Sequence, residues 1–447
     1  MQFLQILLAL MLFGPVLTLA QIRFPVPAPP DAATFAAAIP RTAQLLRTPG
    51  AEVRVLVYGQ SISMQDWWKS VRAFLEKRYP NVRLVIENRA IGGFSTDRLK
   101  RMVDNDVVPF YPDLILLHDY GGEADYEQII RIIRSRTTAE LALQTDHVSV
   151  GQNDAWHDRH GNEWMPAICK TYGLARIDVR SGWKAYLAQN NLPAKELLSD
   201  NVHLNDHGNY LMAEIIDRHF EVIPTTPAQP AEASATVQTI PVALKKGQKR
   251  LKVPFVGNRV DLIFETPVNG PLSIQTDGQR PSAMPDSYFH TRPSLRPEGF
   301  FLTNIGQLLA MKLSGNPQPE DWTLTVTEVD TAAQQLNFRL HGSQTGDDGE
   351  GSSGTTFRSR SGRITIDSTG WFRRRTPSDF KQFAWLKPGD TLRWRVAMMG
   401  RDTVTAADGP IVTVVQGVAN GEHTLQLSGP GLSALRAVRV YRPPLGN

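Results

Sequence analysis

The chain predicts an α/β domain, a parallel sheet sandwiched by helices, followed by an all-β sandwich region, and three observations carry that expectation. From 51 to about 223, strand-like and helix-like segments alternate in the rhythm of βαβ units. Beyond Pro224 long helical periodicity disappears, and short apolar runs are separated by Gly, Pro, Asn and Asp. Within the first region the run Val53 to Tyr58 stops abruptly at Gly59-Gln60-Ser61. That pattern reads as a buried strand breaking into a tight turn, with a hydroxyl set at the carboxyl edge of a sheet.

Met1 to Ala20 has almost no charge and two apolar runs, Leu4 to Leu12 and Phe13 to Leu19, with a small residue before Gln21. It reads as a secretory signal, although it lacks the usual basic start. No later segment is apolar enough to span a bilayer, so the expectation is an exported protein, periplasmic or extracellular, without stable membrane insertion. Residues 21–50 hold a Pro-rich leader and an Ala-rich helical stretch, read as an arm packing on the α/β domain. In the domain at 51–223 the expected strands are 53–59, 82–88, 113–118, 139–146 and 174–179; the expected helices are 64–79, 124–134, 163–172 and 207–220.

Residues 224–239 read as an extended linker, and 240–447 as a β-sandwich region of one or two modules. Its expected strands lie at 253–255, 259–264, 322–329, 335–340, 362–366, 392–396, 411–415, 423–427 and 435–441. The Gly-, Ser- and Asp-rich stretch 342–354 is expected to be a mobile loop; it fits no calcium-loop spacing. Trp371, Phe372 and Arg373 to Arg375, with Trp385 and Trp394, suit either a sugar-stacking surface or core aromatics beside a basic turn.

A length of 447 residues with 41% hydrophobic and 21% charged residues is ordinary for two or three globular domains. The single cysteine, Cys169, excludes an intrachain disulfide framework and a cysteine-rich metal site, and reads as a buried small apolar residue. A formal charge of +4 weakly favours anionic partners and does not point to nucleic acid. Oligomeric state is not encoded in any feature of the sequence.

The chemistry is suggested by two separated segments. A Ser after a strand is by itself most simply a helix cap. Asp200-Asn201-Val202-His203, however, sits in a polar loop before an amphipathic helix, and that spacing lets a carboxylate hold the imidazole while its other nitrogen faces a nucleophile. Ser61, His203 and Asp200 thus become a candidate triad. His207 is the rival base, and Ser63 is expected to cap the adjacent helix.

These residues resemble the SGNH or GDSL hydrolases over about 51–223. Gly59-Gln60-Ser61 looks like the first block of that family, in the Gln variant associated with its carbohydrate acetylesterases. Asn88 to Thr96, containing Gly92-Gly93, looks like the second block, and Asp200 to His203 like the last. The resemblance implies a flavodoxin-like sheet. It also implies a nucleophilic Ser61 with His203 as base and Asp200 orienting it, and an oxyanion hole from the N–H groups of Ser61 and Gly93. The family's third block departs here: where it shows Gly-x-Asn-Asp, this chain reads His118-Asp119-Tyr120-Gly121-Gly122-Glu123, without the Asn donor. A carboxylate at Glu123 would repel an oxyanion; Asn153, after the next strand, is read first as loop structure or a substrate contact, with a substitute donor as the alternative.

Gln60, His118, Tyr120, Asp146, His147 and Trp156 are expected to line a substrate pocket, with His157, Asn162 and Trp164 in the same loop. The His and Asp residues at 118–119, 146–147 and 157–160 could alternatively hold a divalent metal, but their spacing matches no metal motif. The triad chemistry requires no metal or organic cofactor. The reading is therefore a secreted serine esterase acting on acyl, most plausibly acetyl, esters of a carbohydrate. Its alternatives are an O-acyltransferase using the same residues and a non-catalytic carbohydrate-binding protein on a decayed hydrolase scaffold.

Overall fold

The computed structural model describes residues 25–29, 32–221, 236–295, 307–372 and 386–446. The expected signal at 1–20, Arg373 to Arg375, Trp385 and most of the expected linker lie outside the described residues.

Helices α1 (Ala32–Ala38) and α2 (Pro40–Leu46) precede β1 (Glu52–Gly59), α3 (Ser61–Met64), α4 (Trp67–Arg78) and β2 (Arg83–Asn88). Then come α5 (Thr96–Leu99), α6 (Val103–Val107), β3 (Leu114–His118), α7 (Glu123–Arg136) and β4 (Glu140–Gln144). Helix α8 (Asp154–Arg159) passes through a π-helical turn, His160–Trp164, into α9 (Met165–Tyr172); β5 (Ala175–Ile177), α10 (Val179–Gln189) and α11 (Asp206–Glu221) complete this region. The five strands are parallel in the order β2-β1-β3-β4-β5.

Alternation along the strands feeds two cores, as a sheet covered on both faces requires. Val53, Val55, Val57, Leu114 and Leu116 face one side with Trp67, Val71 and Leu75 of α4. Leu56, Tyr58, Ile115 and Leu117 face the other with Ile129, Ile130 and Ile133 of α7. Trp67, Val71 and Leu75 recur at helical spacing on one stripe, and each buried side chain contributes on the order of 1.5–3 kcal/mol. Val26, Phe35, Ile39 and Leu46, from the segment before β1, lie inside the first core. Cys169 is buried.

Some boundaries move. The expected helix 64–79 begins only at Trp67, because Gln65 adopts an extended backbone after the short α3. Helix α10 was not anticipated: the expected strand 174–179 ends at Ile177, and Asp178 caps the helix by accepting from Ser181 N. The expected linker 224–239 is too long, since Thr236–Pro241 forms β6, an edge strand against Ala437 to Arg442.

The β region continues with β7 (Arg250–Phe264), β8 (Leu272–Thr276), β9 (Tyr288–His290), β10 (Lys312–Leu313), β11 (Glu320–Asp330), β12 (Gln335–Gly342) and β13 (Gly346–Ser352). After these come β14 (Phe357–Arg358), β15 (Ile364–Ile366), β16 (Thr391–Met398), β17 (Thr403–Val404), β18 (Ile411–Ser428) and β19 (Leu435–Arg442). They form antiparallel sheets of six, five and three strands. The six-stranded sheet has its own core, while the five- and three-stranded sheets share another. The stretch expected to be mobile is the paired strand β13: Phe338 and Phe357 lie where a Cβ on Gly351 would fall, and buried Asp348 accepts from Ser361 N and Oγ. Its small residues serve close packing there. Trp371 and Trp394 are core residues.

The β region is seated on the helices after β2. Buried Arg292 donates to both carboxylate oxygens of Asp106, at 2.8 and 2.6 Å, and Asp106 also accepts from Tyr58 Oη at 2.9 Å. Gln416 donates to the Val108 carbonyl at 2.7 Å, and Leu309 and Phe372 enter the core around Phe94. Among the described residues no helix is long and apolar enough to cross a membrane.

Candidate active site

The end of β1 is built around a close approach. Gly59 has φ +139°, and a Cβ on it would fall 1.8 Å from the His118 carbonyl oxygen, so glycine is what allows β1 and β3 to end side by side. The chain then turns: Gln60 N donates to that carbonyl at 3.3 Å, and Gln60 caps α3 by accepting from Ile62 N at 3.4 Å. Ser61 therefore opens a helix, where a backbone N–H has no intrahelical partner. Ser63 is not the expected cap; its buried hydroxyl donates to the His118 carbonyl at 3.4 Å.

The second segment is brought against this turn. Ile91 N donates to Gly59 O at 2.8 Å and Asn88 Nδ2 to Ser63 O at 2.6 Å. A Cβ on Gly92 would lie 4.0 Å from Ser61 Cβ, so Gly92 borders the Ser61 side chain. Gly93, at φ +73°, has its carbonyl held by Arg98 Nη1 at 2.9 Å.

The loop before α11 completes the arrangement. His203 Nε2 is 3.0 Å from Ser61 Oγ, and His203 Nδ1 is 2.8 Å from Asp200 Oδ2. Asp200 Oδ1 accepts from Val202 N and His203 N, both at 2.7 Å. The hydrogen bond from the His203 side chain and these two backbone bonds hold the Asp200 carboxyl below the usual range. Three ties fix the loop: Leu204 N to Gln65 Oε1 at 2.8 Å, His147 Nε2 to Val202 O at 2.7 Å, and Val150 N to Asn201 O at 2.8 Å. His207, the rival base, instead meets Tyr186 Oη at 2.6 Å.

The expected pocket residues divide. Tyr120 is exposed and Trp156 half-buried, so both present a face to solvent. Gln60, His118 and His147 are buried and do not line an open pocket; they bond to Ser61, Asp146 and Val202 respectively. Burial pushes the His147 imidazole down to about 4. Asn153 caps α8 by accepting from Trp156 N at 3.2 Å. Trp156 stacks on His160 (4.7 Å, 10°), which stacks on Trp164 (4.6 Å, 14°), while Asn162 accepts from Arg176. The run His157 to His160 disperses: His157 to Asp146, Asp158 to Arg180 and Lys184, His160 to Glu123. Among the described residues no group of three or more His, Cys, Asp or Glu is arranged to hold a metal ion.

Two features escaped the sequence reading. Gln60, expected in the pocket, instead accepts the Ser61 hydroxyl at 2.7 Å, a contact that its place in the Gly-Gln-Ser block did not reveal. Asp119 is buried with Oδ2 unpartnered, and burial pushes its carboxyl well above the ordinary range.

No family model matches the chain, and no curated protein does. Among solved structures it is similar to a two-domain esterase (CEX) active on acetylated mannans, co-crystallised with mannopentaose, at 11% identity and a TM-score of 0.36 over 93% of this chain and 96% of that one. It is also similar, over 40% of its length, to Axe2, an acetylxylan esterase from Geobacillus stearothermophilus (17% identity, TM-score 0.34, 99% of that chain). A third likeness is to LAE5, an alpha/beta hydrolase enzyme from the metagenome of Lake Arreo, Spain (19% identity, TM-score 0.34, 40% of this chain and 100% of that one).

Proposed function

We propose that the chain is an exported serine esterase that removes acyl groups, most simply acetyl, from a carbohydrate. The observation carrying the proposal is the continuous line from Ser61 Oγ through His203 to Asp200, 3.0 and 2.8 Å long. With Asp200 on Nδ1, a neutral imidazole offers the Nε2 lone pair to the hydroxyl, as a general base must. Ser61 Oγ attacks the ester carbonyl carbon, its proton passes to His203 Nε2, and the same proton then leaves with the sugar alcohol. Water, deprotonated by His203, attacks the acyl-enzyme; the C–O bond to Ser61 breaks, His203 returns the proton to Ser61 Oγ, and the acid is released. The N–H groups of Ser61 and Gly93 receive the oxyanion, while Asn153 serves as the cap of α8.

Tyr120 and Trp156 are the proposed substrate contacts, since both are accessible on the sheet edge that carries Ser61. The carbohydrate part rests on the Gly-Gln-Ser resemblance, and export on the apolar leader at 1–20. The formed Ser–His contact counts against a non-catalytic scaffold.

The test is hydrolysis of 4-nitrophenyl acetate by the purified protein, with and without chelator, beside Ser61→Ala and His203→Ala. The expected result is turnover indifferent to chelator and lowered about 10⁴-fold or more in both variants. Activity that survives Ser61→Ala and is lost to chelator would transfer the chemistry to the His and Asp cluster.

A further inference from the structure

A second set of polar groups, which the proposed chemistry leaves unused, lies behind Ser61. Gln60 Oε1 accepts the Ser61 hydroxyl at 2.7 Å, and Gln60 Nε2 stands 3.4 Å from His118 Nδ1. His118 Nε2 meets Asp146 Oδ1 at 2.9 Å, and Asp146 Oδ2 meets His157 Nδ1 at 2.6 Å. The path runs unbroken from the hydroxyl to α8, the helix that bears Trp156. Its inner members are withdrawn from water: Gln60 is 4% exposed, His118 2%.

Donor and acceptor roles follow from Asp146. Burial alone would raise its carboxyl, yet the hydrogen bonds from His118 and His157 more than offset that and keep it ionised. An ionised carboxylate only accepts, so each imidazole gives it an N–H. A neutral His118 then has its lone pair at Nδ1 and takes a hydrogen from Gln60 Nε2. The Gln60 amide is thereby fixed with Oε1 toward Ser61 Oγ and Ile62 N. Ser61 has one hydroxyl hydrogen and two acceptors, Gln60 Oε1 at 2.7 Å and His203 Nε2 at 3.0 Å. A fixed amide holds Oγ where a rotation about its C–O bond swings the hydrogen to the base.

We propose that Gln60, His118, Asp146 and His157 form a relay that ties the Ser61 hydroxyl to the Trp156-bearing helix and holds Oγ in line with His203; the inference rests on the serine-esterase reading. Gln60 touches the reacting oxygen, whereas His118, Asp146 and His157 are positioning residues that act through it. None of them exchanges a proton with substrate. Their loss lowers the rate of attack and leaves ester binding alone, because a displacement of about 1 Å at a reacting atom costs about 10²-fold.

The experiment measures kcat and KM for 4-nitrophenyl acetate, the rate of covalent labelling by a fluorophosphonate, and thermal unfolding. It compares the parent with Ser61→Ala, His118→Ala, His118→Asn and Asp146→Asn. Ser61→Ala is expected to lose turnover and labelling. His118→Ala and Asp146→Asn are expected to lower kcat and the labelling rate about 10²-fold with KM within about twofold. His118→Asn, whose side-chain oxygen sits near the Nδ1 position and can accept from Gln60, is expected to recover about tenfold of that loss. If His118→Ala and Asp146→Asn stay within about threefold of the parent while Ser61→Ala is inactive, the relay is overturned and the esterase reading stands. Turnover retained by Ser61→Ala, or neither turnover nor labelling in the parent, overturns both together. Should His118→Ala fail to fold, the isosteric Asp146→Asn decides by the same criteria.

Discussion

The chain carries two histidine–aspartate pairs of nearly equal length in opposite surroundings. His203 and Asp200 lie 2.8 Å apart in a loop, with side chains 40% and 59% exposed; His118 and Asp146 lie 2.9 Å apart at strand ends, with side chains 2% and 11% exposed. The orientation also differs. Asp200 takes Nδ1 and leaves Nε2 for Ser61, whereas Asp146 takes Nε2 and leaves Nδ1 for the Gln60 amide. Asp200 spends its second oxygen on backbone N–H groups; Asp146 spends its own on another imidazole. Which ring nitrogen faces the nucleophile, and whether water and substrate can reach it, separates a pair suited to proton transfer from one suited to holding a shape.

The largest expected effect separates the pairs by activity and stability at once. His203→Ala is expected to lower kcat/KM about 10⁴-fold while changing urea-unfolding free energy by less than about 0.5 kcal/mol, since its side chain is open to solvent. His118→Ala strands a buried carboxylate oxygen and is expected to cost about 2–4 kcal/mol of stability. Equal stability losses in the two variants would erase the distinction. Asp146→Ala is expected to cost about 3 kcal/mol and Asp200→Ala under about 1 kcal/mol, because an exposed pair is screened by water.

Acid sharpens the comparison through a third histidine. His147 is held down to about 4 by burial and donates to the Val202 carbonyl in the His203 loop. Its unfolded value is about 6.5, so between the two values the unfolded chain binds more protons, and stability falls as pH drops through that window. Between pH 7 and pH 5 the loss is expected to be about 2 kcal/mol, and His147→Gln should flatten it in urea titrations at those two values. The smallest effect concerns Asn153. As a helix cap its replacement by Ala costs about 1 kcal/mol with kcat unchanged; a fall in kcat of about 10²-fold or more would make it an oxyanion donor.

Much of the parallel sheet was legible, because its strands are short apolar runs stopped by turn residues, and β1, β2 and β3 fall within one residue of the expected spans. Helix α10 was missed because Val179 extends the apolar run of β5, and the capping role of Asp178 shows only when its side chain is placed. Strand β13 was hidden by composition: Gly, Asp and Ser read as a loop, yet Gly351 is small because two Phe rings cover it. In the site, Ser61, Asp200 and His203 were found through local spacing and order. The joining of Gln60, His118, Asp146 and His157 was not, since it depends on three strand or loop ends meeting at one sheet edge, and no spacing within the sequence records that.

The most direct test of the central claim is to map the residue that a fluorophosphonate modifies in the full-length protein, by mass spectrometry of the digested adduct. A single adduct on Ser61, slowed about 10³-fold or more in His203→Ala, is the result expected of a serine nucleophile served by that base. An adduct on Ser63 or elsewhere, or labelling of Ser61 at an unchanged rate without His203, would contradict the account.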